Sequence, residues 1–238
     1  MTSTTLQKNI YVLSGGAAQG LVLQLQERFK AEHDINVAGT FGAVGMMKDA
    51  LLAGTPCDVL ILSEALITQL TASGNLQTGT AQALGAVKTG VAVKTGDLPV
   101  DVSSPEALTA ALRAAKGIYF PDPVKATAGI HVMQVLKTLG LDAELADRLR
   151  PFPNGATAMK AMAETNETGV LGCTQITEIL FTPGVALVAP LPKAFELVTV
   201  YTAAVSARSS NPEAARALIA LLTSRDAADL RLACGFEG

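Results

Sequence analysis

The sequence contains no tryptophan, and its aromatic content is only 4%. That scarcity argues against the aromatic platforms on which sugars or bases stack. Charged residues are sparse too, at 16%, with a formal net charge of −3. Without a basic field there is little to hold a polyanion, so nucleic acid is not an expected partner. The two histidines, His33 and His131, lie far apart, and the three cysteines, Cys57, Cys173 and Cys234, are odd in number and irregularly spaced. Neither set has the pattern of a metal site or a disulfide framework. No metal and no other cofactor is expected, and the cysteines read as small buried hydrophobes. No stretch is long and apolar enough to span a bilayer, so no membrane insertion is expected. Residues Met1 to Ile10 carry neither the basic start, nor the apolar run, nor the small-residue cleavage site of an export signal. The expected location is cytoplasmic if the chain is complete as given, and periplasmic if a signal peptide was removed from it.

What is present is an α/β pattern. Hydrophobic residues make up 49% of the 238 positions, enough for a sizeable core in one large domain or two small lobes. Short apolar runs alternate with helical patterns for most of the length, which predicts a mostly parallel sheet flanked by helices. Ile10–Leu13, Ile35–Val37 and Asp58–Leu62 read as the first three strands. Helices follow the first two, the second of them over Val44–Leu52. Val87–Val93 reads as a strand crossing out of this first unit, and Leu197–Val205 as the strand returning to it. Between them, Ser104 and Pro105 form a helix start, Ile118–Phe120 and Gly169–Cys173 read as strands, and helices are predicted over Ile130–Leu139 and Ala156–Glu164. Pro212 opens the last long helix. Two crossings give two lobes, one discontinuous (residues 1–85 and 199–238) and one continuous (residues 86–198). A ligand cleft is expected between them, at the carboxyl ends of the strands.

Four strand-to-helix loops share one form, in which small residues lead straight into a helix. They are Ser14-Gly15-Gly16-Ala17, Phe41-Gly42-Ala43-Val44-Gly45, Thr127-Ala128-Gly129 and Asn154-Gly155-Ala156. Helix N-termini carry unpaired N–H groups and partial positive charge, and small residues let an anion approach them. One such loop is ordinary turn chemistry; four in register predict a small anionic ligand held without Arg or Lys. The expected ligand-binding set is Ser14, Gly15, Gly16, Ala43, Val44, Gly45, Thr127, Ala128, Gly129, Asn154, Gly155, Ala156 and Gln175. No loop carries a dinucleotide or P-loop pattern, and Ser14 is not in a hydrolase elbow.

The order of these motifs resembles the molybdate-binding family of substrate-binding proteins, with the type II periplasmic-binding-protein fold. The resemblance rests on Ile10–Gly16, the Phe41–Gly45 loop, Ala53-Gly54-Thr55-Pro56-Cys57-Asp58-Val59-Leu60-Ile61, Ala128-Gly129-Ile130 and Cys234-Gly235-Phe236. It implies a two-lobed α/β architecture and, for an exported chain, the membrane subunits of an ABC transporter as partners. It departs from the family where oxyanion-binding hydroxyls are expected: those positions align with Ala17, Val44 and Gln175. The sequence resembles more closely a branch of the same fold that contains aconitate isomerase, through Ser14–Gly16, Gln175-Ile176-Thr177-Glu178-Ile179 and Pro183–Pro192. That implies a di- or tricarboxylate ligand. The first expectation is a binding protein rather than an enzyme. The alternatives are an isomerase moving a proton along an allylic system, with His131, Asp122 or Glu178 as candidate base, and a molybdate or tungstate binder.

Overall fold

The computed structural model describes residues 8–238; the reading of the first seven residues as lacking an export signal lies outside them. β1 (Asn9–Gly15) runs through a single short 3-10 turn into α1 (Gln19–His33), and β2 (Asn36–Gly42) passes directly into α2 (Val44–Leu52). β3 (Val59–Ser63) is followed by α3 (Glu64–Ala72), a helix in a stretch for which the sequence pattern had given no element. β4 (Gln82–Lys94) is the long crossing strand. Then come α4 (Pro105–Ala114), β5 (Ile118–Pro121), α5 (Thr127–Thr138), β6 (Leu149–Phe152) and α6 (Gly155–Glu164). β7 (Leu171–Gln175), α7 (Ile176–Phe181), β8 (Val185–Pro190), β9 (Val198–Val205), α8 (Pro212–Thr223) and α9 (Ala228–Ala233) complete the chain.

The strands lie in the order β2-β1-β3-β9-β4-β7-β5-β6, with β8 also paired to β4. The ladders of β1 with β2 and β3, and of β5 with β6 and β7, are parallel. Every ladder involving β4 or β9 is antiparallel. β4 divides its length between two neighbourhoods: Gln82–Lys88 pair with β9, and Thr89–Ala92 pair with β7. Packing follows the same division. One buried cluster gathers Ile10, Leu21, Phe29, Ile61, Val87, Tyr201 and Leu218; a second gathers Val91, Leu112, Ile118, Phe120, Leu136 and Leu171. Each large aliphatic or aromatic side chain so buried contributes about 1.5–3 kcal/mol.

Local sequence explains most element ends. The Ser104 hydroxyl accepts from the Ala107 amide at 3.2 Å, with Pro105 at the first helical position. Asn211 caps α8 in the same way, ahead of Pro212. Two boundaries differ from the sequence pattern, with consequences for the cleft. α5 begins at Thr127, not Ile130, because Ala126 already stands at the helix entrance; the small residues of that loop are therefore the helix's own first turn. β7 runs over Leu171–Gln175 rather than Gly169–Cys173; Gly169 (φ +70°) makes the turn ahead of it, and the strand continues to Gln175, which pairs with Thr89 of β4. Thr174 and Gln175 thus lie at a strand's carboxyl end. β6 escaped the pattern because Arg150 and Pro151 interrupt its apolar run; as an edge strand it tolerates both.

Candidate functional site

The carboxyl ends of β1, β2, β5 and β7 converge on a narrow cleft lined by Gly16, Val44, Thr127, Gly155, Gln175 and Glu178, with Tyr201 reaching in from β9. Of the residues expected to bind ligand, Gly16, Ala43, Val44, Thr127, Ala128, Asn154, Gly155 and Gln175 line this space together. The other five do not. Ser14 is fully buried, and its hydroxyl donates to the Gly15 carbonyl at 2.8 Å, one residue away. Gly15 packs its open side against Val44 and Tyr201. The Gly45 amide is already engaged, donating to the Lys125 carbonyl at 3.0 Å. Gly129 lies beneath the helix start, against the carbonyls of Pro121 and Asp122. Ala156 lines a larger, neighbouring groove with Phe41, Lys160 and Phe181. For the first four, packing within the fold has taken up a group that the sequence left open.

Three features make the cleft chemically specific. The first is Gln175. Its side chain is 2% exposed, and neither its amide nitrogen nor its amide oxygen makes a hydrogen bond of full geometry, the Tyr201 hydroxyl being the side-chain group near enough to act on it. A buried amide left unpaired costs about 1–3 kcal/mol, so its presence here favours a partner supplied from outside. The second is Glu178, 5% exposed, whose Oε2 accepts from the Thr174 hydroxyl at 2.5 Å. Burial pushes its carboxyl above the ordinary carboxylate range; the Thr174 hydroxyl and the backbone amides of Ala156, Gly155 and Gln175 oppose that rise. Its carboxyl fits because two residues have no side chain. A Cβ at Gly16 would lie 2.1 Å from Oε1, and one at Gly155 would lie 1.9 Å from Oε2.

The third is Tyr201, 3% exposed and held in its neutral form by a pKa raised first by burial and then by the Glu178 carboxyl, with the neighbouring Gln175 side chain opposing that rise. The sequence reading missed Tyr201 as a site residue. It sits in a β-rich run whose alternation predicts a strand but not which strand end meets the cleft. A tyrosine hydroxyl is therefore present there, although it comes from β9 rather than from the position of Gln175.

The remaining candidates fall outside the cleft lining. His131 Nε2 lies 2.8 Å from the Phe195 carbonyl, which can only accept, so the ring donates there. Asp122 Oδ1 accepts from the Val124 and Lys125 amides at 2.7 and 2.8 Å and shapes its own turn. His33 packs on the Phe29 ring, with centroids 4.6 Å apart. The three cysteines are free and buried; burial pushes the thiols of Cys57 and Cys173 up to about 12, so both stay protonated. Among the described residues no group of His, Cys, Asp and Glu could hold a metal ion, and no helix is long and apolar enough to cross a membrane. At the cleft's rim, Lys125 Nζ meets Asp49 Oδ2 at 2.6 Å, joining the loop after β5 to α2.

A curled mixed sheet with helices on its faces and an amide-rich cleft at strand ends is the architecture of a type II periplasmic binding protein. Residues 10–237 match the family of bacterial extracellular solute-binding proteins, and the chain belongs to that family. A similar protein is an aconitate isomerase from Pseudomonas sp., 27% identical over 223 residues, or 91% of this chain and 83% of that protein. Among solved structures, the periplasmic molybdate-binding protein of Azotobacter vinelandii aligns with a TM-score of 0.79 and 18% identity, over 96% of this chain and 99% of that one. The substrate-binding protein of an ABC transporter from Agrobacterium tumefaciens aligns at 0.72 and 18%, over 94% and 77%. At such identities the likeness establishes the fold.

Proposed function

We propose that this protein binds a small di- or tricarboxylate in the cleft, between a lobe of residues 1–85 and 199–238 and a lobe of residues 86–198. The observation that carries this reading is the buried Gln175 amide, which makes no hydrogen bond of full geometry within the fold and, beside the Tyr201 hydroxyl, offers a donor and an acceptor together in a buried space. The starts of α2 and α5 add backbone N–H groups at Val44 and Thr127, and no Lys, Arg or His is among the lining residues. The similarity to an aconitate isomerase supports a polycarboxylate over a tetrahedral oxyanion. As an exported chain it would deliver its ligand to the membrane subunits of an ABC transporter, the setting named for the Agrobacterium protein.

A second reading is favoured by Glu178. A carboxyl inside the cleft, with its proton affinity raised by burial, is suited to general acid–base work. In an allylic isomerisation it would take a proton from a substrate methylene while a proton is returned to the far carbon, so that the double bond shifts with no net change in composition.

A thermal-shift series with citrate, cis- and trans-aconitate, sulfate and molybdate tests both readings. A ligand at a hundredfold its Kd adds about 2.7 kcal/mol of stability, which a melting curve resolves. Carboxylate shifts without a molybdate shift support the proposal, and conversion of cis- to trans-aconitate in the same sample supports the enzyme. A molybdate shift alone would return the protein to oxyanion binding.

A further inference from the structure

The Glu178 carboxyl occupies the place where the anion-binding loops converge. It is wedged against the Gly16 and Gly155 backbones and takes the Thr174 hydroxyl at 2.5 Å. A carboxylate ligand drawn to those same amides would meet a second carboxylate across a low-dielectric cleft. The neighbours offer no cation to separate the two. Gly16 comes from the turn before α1, Gly155 and Ala156 from the start of α6, Thr174 and Gln175 from the end of β7, and Tyr201 from β9. Of these groups only the Tyr201 phenol titrates, and burial keeps it neutral. Nearby charges are engaged elsewhere: Lys125 with Asp49 at 2.6 Å, and Lys160 with Glu164 at 3.8 Å.

We propose that anion and proton enter this cleft together: Glu178 takes a proton from solvent when a ligand carboxylate binds, and its O–H then donates to that carboxylate. This rests on the carboxylate reading above. Two carboxyl groups sharing a site cannot both stay ionised at low cost, so one takes a proton and the pair becomes a hydrogen bond instead of a repulsion. Gln175 then meets the ligand with its own buried amide. Glu178 thereby sets specificity, because it accepts only partners able to receive an O–H at that point. It also makes uptake weaken as pH rises through the range in which free Glu178 loses its proton.

Isothermal titration of the wild-type protein with trans-aconitate and with citrate, between pH 7.5 and 9 and in two buffers of different ionisation heat, counts the protons directly. The expected result is close to one proton taken up per ligand. Apparent affinity should fall about tenfold per pH unit wherever Glu178 is ionised in the free protein. Glu178→Gln should bind without proton uptake and with affinity flat over the same range. Buffer-independent heats in the wild type, or an unchanged pH slope in Glu178→Gln, would overturn the proton-linked step and leave carboxylate binding intact. Binding of molybdate with neither carboxylate bound would instead overturn the carboxylate reading, and this inference with it. The buffer comparison needs no variant, so it stands even if Glu178→Gln folds poorly.

Discussion

Asp58 sits where β3 begins and the segment before α8 returns to it. It is 1% exposed; Oδ2 accepts from the Tyr11 amide at 2.9 Å, and Oδ1 accepts from the Ser209 hydroxyl at 2.7 Å and the Ser210 amide at 3.0 Å. In the cleft, Glu178 is almost as buried at 5%, yet one side-chain hydroxyl and three nearby amides do not offset its desolvation. The first carboxylate joins β1, β3 and the loop before α8. The second stands over glycines in a space that a ligand can enter. Burial alone does not distinguish the two carboxyls; they differ in what surrounds them, one tying three segments together and the other facing the cleft.

The contrast breaks most visibly at Asp58. Asp58→Ala would leave the Tyr11 and Ser210 amides unpaired, and should cost about 3 kcal/mol or more of unfolding free energy in urea titrations. A loss below about 1 kcal/mol would make the two carboxylates alike.

Gly155→Ala should act at an intermediate level. Its Cβ would fall 1.9 Å from Glu178 Oε2 and 2.1 Å from Thr174 Oγ1, so the carboxyl must move. The stability cost should be about 1–3 kcal/mol, with carboxylate affinity reduced by more than about tenfold by titration calorimetry. Unchanged affinity would detach Glu178 from the site.

The smallest effect concerns Glu178 itself and depends on pH. Burial raises its folded-state pKa above the unfolded value, so the folded protein keeps this proton to higher pH than the unfolded chain does. Between those values the unfolded state binds fewer protons. Stability from this group is therefore full below the ordinary glutamate range, near pH 4.3, and is lost as pH rises above it. Glu178→Gln has no proton to lose, so its melting temperature should gain on the wild type from about pH 4.5 upward. Parallel curves would mean that burial does not raise the proton affinity of Glu178.

Much of this was legible because it is local. Ser104 with Pro105 specifies a helix start by a side-chain-to-amide bond within four residues, and Asn154, expected to lead into a helix, does so by accepting from the Thr157 amide. The Ala53–Ile61 phrase was one of the motifs that carried the family resemblance, and its Asp58 has architectural partners in the structure. The small-residue loops pointed to helix N-termini, and eight of the thirteen residues expected to bind ligand line one cleft. What escaped was Gly45, whose amide goes to Lys125, and Ser14, whose hydroxyl turns back on its own loop. Neither choice leaves a trace in residue type or spacing.

The sequence by itself thus determined the alternation of strands and helices, the caps, and the four small-residue turns, because each depends on bonds made within a few residues. Only the tertiary structure decided that Glu178 would stand between Gly16 and Gly155, that Tyr201 would reach the same space from β9, and that Gln175 would be buried without a hydrogen bond of full geometry. Those residues come from segments far apart in the chain. Their charge and hydrogen bonding depend on which groups the packing of β4, β7 and β9 brings within a few ångströms, and on how much water that packing removes.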